Sequence, residues 1–232
     1  MSTFTYVPDY PVTEATTLRL RTATYGSYEE RLAYGLFTIV DTWSLKFGSR
    51  NATDHANILS FLESAAGSTP FTWTTPFGET AQFLCSDWQS TLDSCALSTV
   101  SASFVLANTA AGPNIVAPAA PTGAFTYIPD FGASQKYDTK VRSTEFGDGY
   151  KQTATFGLYP QDVEWPLTFA NRTNAERDAI RTYLRGARGQ TAFAWTTPYG
   201  VTGKFVCTEW RTDYAGYNNN TINATLRRVF EP

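Results

Sequence analysis

Phe71-Thr-Trp-Thr-Thr-Pro-Phe-Gly78 returns as Phe193-Ala-Trp-Thr-Thr-Pro-Tyr-Gly200, and reading these two stretches together decides the architecture. Upstream, Phe4-Thr-Tyr-Val-Pro-Asp-Tyr10 returns as Phe125-Thr-Tyr-Ile-Pro-Asp-Phe131. The offset is 121 residues for the upstream pair and 122 for the first. The extra residue enters at a turn, where Gly26-Ser27-Tyr28 stands against Gly147-Asp148-Gly149-Tyr150. All six tryptophans pair at an offset of 122: Trp43 with Trp165, Trp73 with Trp195, Trp88 with Trp210. Such a period is too long for a solenoid repeat or a propeller blade. It is the length of a small domain, so the chain is a tandem duplication of one fold.

The copies are expected at residues 1–107 and 124–232, each large enough for its own core. Between them, residues 108–123 carry no charge and three prolines, which reads as an extended, semi-stiff linker. Net charge divides unevenly. Residues 1–107 hold five Lys/Arg against ten Asp/Glu, so −5, and residues 124–232 hold thirteen against eleven, so +2. Neither half has the basic excess of a nucleic-acid binder. Cys85 and Cys207 hold the same place in the two copies, so with Cys95 they are expected as free thiols of a reducing compartment. No basic start with an apolar run marks a secretory leader, and no stretch of 18 apolar residues suggests a membrane span.

Aromatics at 15% with abundant Thr and Val favour strands. Thr17–Tyr25 alternates and then turns. In the second copy Gly147-Asp148-Gly149 supplies residues that tolerate positive φ, the mark of a tight hairpin. Further strands are expected through Trp43–Phe47 and Trp165–Phe169, with Pro166 placing the latter at an edge or bulge. One helix interrupts the strands. Thr173 with Glu176 makes a capping box, and Ile180, Tyr183, Leu184 and Ala187 recur on one face until Gly189. Ile58, Leu62 and Gly67 occupy the matching places in the first copy, with Asp54 standing in for Glu176. The fold class is therefore mainly β: two tandem β-sandwich or small-barrel domains, each with one flanking α-helix.

Chemistry-bearing patterns are sparse. His55 is the only histidine and lies on the first helix, where an exposed surface residue accounts for it. The cysteines are too isolated for a zinc site, and nothing pairs a nucleophile with His55. The acidic residues show no singled-out pair of the kind a glycosidase needs. No catalytic residue, metal ligand or cofactor is assigned. The tryptophans could form a sugar-stacking platform, but their equivalent places beside strand residues favour a core of Trp43, Trp73, Trp88, Trp165, Trp195 and Trp210. Arg177, Arg181, Arg185 and Arg188 fall within about 80° on one helix face. That stripe is either a solvated face or a docking surface for an acidic partner, and is taken as the candidate inter-subunit interface.

Val141-Arg-Ser-Thr-Glu-Phe-Gly-Asp-Gly-Tyr-Lys-Gln152 and Phe193-Ala-Trp-Thr-Thr-Pro-Tyr199 resemble the phage minor tail protein family, the M-type tail-tip protein of lambda-like siphophages. Both halves share the resemblance. The first departs at Tyr25-Gly-Ser-Tyr-Glu-Glu30, which lacks the Asp and one Gly. The resemblance implies a non-enzymatic virion component with a tail-tube-like or distal-tail-like fold, assembled in the host cytoplasm. It implies a ring between the tail tube protein and the central hub, with three chains matching a sixfold tube through six domains. A ring of six chains is the alternative, as is a carbohydrate-binding adhesion module. Neither membrane insertion nor sequence-specific nucleic-acid binding is implied.

Overall fold

The computed structural model describes residues 2–25, 28–35, 37–94, 96–107, 118–155, 157 and 159–230. The turn residues Gly26 and Ser27, Cys95, and residues 108–117 of the expected linker lie outside the described residues. The first half runs β1 (Thr3–Phe4), β2 (Asp9–Leu18), β3 (Leu20–Tyr25), β4 (Tyr28–Ala33), β5 (Ile39–Arg50), α1 (Ala52–Ala65), β6 (Phe71–Thr74), β7 (Thr80–Leu92) and β8 (Ser98–Leu106). The second half repeats this order with β9 (Lys136–Thr139), β10 (Val141–Glu145), β11 (Lys151–Thr155), β12 (Gln161–Arg172), α2 (Asn174–Ala187), β13 (Phe193–Thr196), β14 (Thr202–Gly216) and β15 (Asn219–Val229).

The architecture is mainly β with one helix per copy, and the strands close no barrel. They form one open eleven-stranded sheet in the order β1-β6-β7-β8-β5-β2-β14-β15-β12-β9, with β13 also on β14. The sheet passes from the first copy to the second between β2 and β14. Two hairpins, β3–β4 and β10–β11, stand apart from it. At the tip of the second hairpin Asp148 (φ 65°) and Gly149 (φ 78°) take the left-handed conformation that the Gly-Asp-Gly sequence allows.

Each copy builds its core from alternating strand residues and one helix face. In β5, Trp43, Leu45 and Phe47 point inward, and in β12 Trp165, Leu167 and Phe169 do so. Ile58 and Leu62 from α1, and Ile180 and Leu184 from α2, complete the two clusters. Trp43 meets Trp73 edge-on at 5.5 Å, and Trp165 meets Trp195 at 5.6 Å. Each such pair adds about 0.5–1.5 kcal/mol beyond burial of its area. The helices start as their sequences require. Asn51 accepts from the Asp54 amide on α1, and Thr173 with Glu176 forms the full capping box on α2. Pro166 sits in β12 opposite Thr225 of β15 and beyond the reach of β9, whose pairing stops at Glu164, so no hydrogen bond to β9 needs its missing N–H.

The repeated motifs each hold a joint. Asp9 accepts from the Gly48 amide and Arg50, while Asp130 accepts from the Ala170 amide and Arg172. Arg50 and Arg172 also reach the carbonyls of Val7 and Ile128, both at 2.8 Å. The Pro-Asp motif thus straps the entering chain to the end of β5 or β12. In Thr-Thr-Pro-aromatic-Gly, the second Thr closes a turn: Gly78 donates to Thr75 O and Gly200 to Thr197 O, each at 2.9 Å.

Candidate functional site

The seam between the copies concentrates the buried charge of the molecule. Along it β2 and β14 pair antiparallel, from Thr17 opposite Glu209 to Val12 opposite Tyr214. This brings α2 over the first copy. Arg181 donates twice to Glu14, from Nε at 2.8 Å and from NH2 at 2.7 Å, and reaches Glu79 at 3.2 Å. Arg185 donates to Asp41 at 2.7 Å, and Asp41 also accepts from Thr16 at 2.8 Å. Arg177 lies over the Phe77 ring at 4.1 Å and donates to Asn220 at 3.1 Å. Glu14 and Asp41 are fully buried, and the three arginines nearly so.

Burial pushes the Glu14 carboxyl up to about 6; Arg181 and Arg185 pull it down, and Asp41 adds to the rise. Burial works against the Arg181 charge, but Glu14 and Glu79 outweigh it and raise its pKa. Such a cluster contributes little net free energy compared with an apolar isostere, yet removing one partner is costly. Its geometry, a bidentate arginine over a carboxylate, sets register and excludes other pairings.

The β3–β4 hairpin clasps the second copy from outside. Arg31 donates to Gly189 O at 3.1 Å and to Gln190 O at 3.3 Å, and Glu29 accepts from Arg227. Gly189 has φ 62°, and a Cβ there would lie 2.9 Å from Leu20 Cδ1 and 3.0 Å from Leu18 Cδ1. Only glycine fits both the helix end and the close approach of the first copy.

The arginine stripe therefore does not face a second subunit through Arg177, Arg181 and Arg185. These residues are buried against the first copy of their own chain, because β2–β14 pairing carries Glu14 and Asp41 beneath α2. Arg188, half-buried, donates to Pro118 O at 3.5 Å. Five tryptophans are buried, Trp43, Trp73, Trp165, Trp195 and Trp210, whereas Trp88 is half-buried. Trp73 and Trp195 are each 2% exposed, which closes them to sugar stacking. Gly147, Asp148 and Gly149 lie at an exposed hairpin tip, away from the seam. His55 Nε2 lies 2.6 Å from Ser90 Oγ, and among the described residues no carboxylate is bonded to its other ring nitrogen. Burial pushes the thiols of Cys85 and Cys207 up to about 11 and about 12, so neither is a ready nucleophile. Among the described residues no three His, Cys, Asp or Glu side chains converge as a metal site.

Sequence reasoning missed strand β2 and with it Glu14 and Asp41. It also missed the Asp9–Arg50 and Asp130–Arg172 straps, although Arg50 and Arg172 recur at the same 122-residue offset as the tryptophans.

The model of the phage minor tail protein family matches residues 2–107 and again residues 123–230. The chain belongs to this family. It is accordingly a structural component of a phage tail, which works in contact with other tail proteins. A search of curated proteins finds no match. Among the described residues no helix of this tail protein is long and apolar enough to cross a membrane.

Proposed function

We propose that the chain forms a ring at the phage tail tip that joins the tail tube to the central hub. Three chains supply six sectors, each chain contributing one sector from residues 1–107 and one from 124–232, joined by 108–123. The role is structural, with no catalytic step, and assembly takes place in the host cytoplasm before the ring enters the virion.

The observation that supports this reading is the head-to-tail character of the seam. The second copy presents α2 and β14; the first presents β2, β5 and the β3–β4 hairpin. Unlike faces meet, so the contact can be repeated by rotation until it closes. A two-copy chain suits a ring with six similar sectors above and threefold contacts below. Light scattering of the purified protein, together with projection symmetry in electron micrographs, tests the proposal. A particle of three chains with pseudo-sixfold symmetry is expected. Six chains would replace the threefold arrangement, and a protein that stays monomeric at every concentration would overturn the ring.

A further inference from the structure

The second copy carries an open counterpart of the face that α2 covers on the first. A cleft of about 490 Å³ there is lined by Gln135, Val163, Trp165, Tyr199 and Val201, among others. By the repeat offsets these correspond to Glu14, Asp41, Trp43, Phe77 and Glu79, of which all but Trp43 meet the α2 arginines directly. Tyr199 is 71% exposed, and Val201 is exposed as well. Strand β9, the counterpart of the second half of β2, ends the sheet with an edge left open among the described strands. Beside it, every residue of β10 and β11 is exposed, including Val141, and Phe146 and Tyr150 at the turn are exposed too. The equivalent hairpin of the first copy is the one that clasps its neighbour.

The first copy carries the matching donor face. His55, Leu59 and Glu63 stand on α1 where Arg177, Arg181 and Arg185 stand on α2. Residues Asp87–Leu92 of β7 pair with β8 alone among the described strands, whereas their counterparts Glu209–Tyr214 also pair with β2. The consequence shows in burial. Trp210 is buried and Trp88 is half-buried; Tyr214 is 8% exposed and Leu92 is 74% exposed. The two open faces have also changed chemistry together. Where Arg181 meets Glu14, the open faces offer Leu59 and Gln135, a pair that carries no charge on either side.

We propose that the open face of the second copy receives α1 and β7 of another copy of this chain, repeating between chains the seam found within one. This supplies the contacts of the proposed ring and rests on that reading. Strand β7 extends the sheet along β9, with Trp88 opposite Tyr137 and Ser90 opposite Gln135, while the β10–β11 hairpin closes over the end of α1 near Gly67. Main-chain pairing at an open edge supplies affinity, and the cleft supplies register.

The test transplants the inner ion pair to the outer contact. Leu59→Arg alone and Gln135→Glu alone each bury an unanswered charge, so each should raise the apparent Kd of self-association by about tenfold or more. The double variant recreates the Arg181–Glu14 pairing between chains and should return to within about threefold of the parent. Because Leu59 packs against the core of the first copy, a second experiment leaves it unchanged. Ser90→Cys with Gln135→Cys, in a Cys95→Ser background, should give disulfide-linked oligomers on oxidation, and neither single cysteine should. Persistent assembly without linkage, or a double variant no better than the singles, overturns this contact while the ring stands. A parent chain that never assembles overturns both.

Discussion

The two helices occupy one place in two copies of a fold, and their inner faces are nearly interchangeable while their outer faces are not. Ile58 and Leu62 match Ile180 and Leu184 in the cores. Outward, α1 shows His55, Leu59 and Glu63, and α2 shows Arg177, Arg181 and Arg185. The inward positions answer to packing that both copies share. The outward positions answer to a neighbour, and among the described residues only α2 has one from the other copy. Divergence between repeats is therefore a map of contact: where the copies agree they hold themselves together, and where they differ they meet different surroundings.

Removing one arginine gives the sharpest contrast between the helices. Arg181→Ala leaves Glu14 buried without its bidentate partner, with Arg185 alone at 3.5 Å, and should cost about 3–5 kcal/mol in urea unfolding, with the two copies separating into two transitions. Leu59→Ala at the same place on α1 should change stability by about 1 kcal/mol and leave a single transition. Replacing both partners, Arg181→Met with Glu14→Leu, should recover most of the loss. If Arg181→Ala behaves like Leu59→Ala, the seam does not depend on its ion pairs.

The same contrast has a pH signature. Burial makes Glu14 hold its proton more tightly in the folded chain, at about 6 against its ordinary 4.5. Its contribution is therefore fully present below pH 4.5 and is lost as pH rises through 6, a change on the order of 2 kcal/mol. Unfolding free energy measured from pH 4 to 7 should show this decline in the parent and not in Glu14→Gln. Gln135 fills the matching place in the second copy and has no titration, so Gln135→Ala should leave the profile unchanged.

A smaller effect separates the helix ends. Gly186 faces Ala119, and a Cβ there would lie 2.4 Å from Ala119 O. Gly186→Ala should destabilise by about 1–3 kcal/mol, since backbone must shift. Its counterpart Ser64 is exposed, so Ser64→Ala should stay within about 0.5 kcal/mol. Equal losses would mean that residues 118–121 do not pack on α2 in solution. The least difference is expected at the N-caps. Thr173→Ala and Asn51→Ala should each cost about 1 kcal/mol in thermal unfolding, because both caps bind a first-turn amide.

Much of this fold is readable along the chain because the signals are local. The capping box at Thr173, the apolar face of α2 and the Gly-Asp-Gly tip of the second hairpin each involve residues a few positions apart. Strand β2 is different. Its inward residues are Val12, Glu14 and Thr16, so the alternation that marks a half-buried strand is present in burial and absent in hydrophobicity. A carboxylate and a hydroxyl on a buried face read as solvent-exposed until their partners are known. The arginine stripe misleads for the same reason: four arginines on one helix face look like a surface.

That one domain occurs twice, that each copy is mainly strands with one capped helix, and which aromatic residues recur at equivalent places are all written in the order of residues along the chain. Those features follow from identity at a fixed offset and from interactions within a few residues. Where the copies meet is settled in three dimensions, since Arg181 finds Glu14 across 167 residues and Arg185 finds Asp41 across 144. Charge and periodicity state what a face can pair with. Which face it pairs with depends on the β2–β14 ladder, and backbone hydrogen bonds of that kind are available to any strand edge and leave no mark in the side chains.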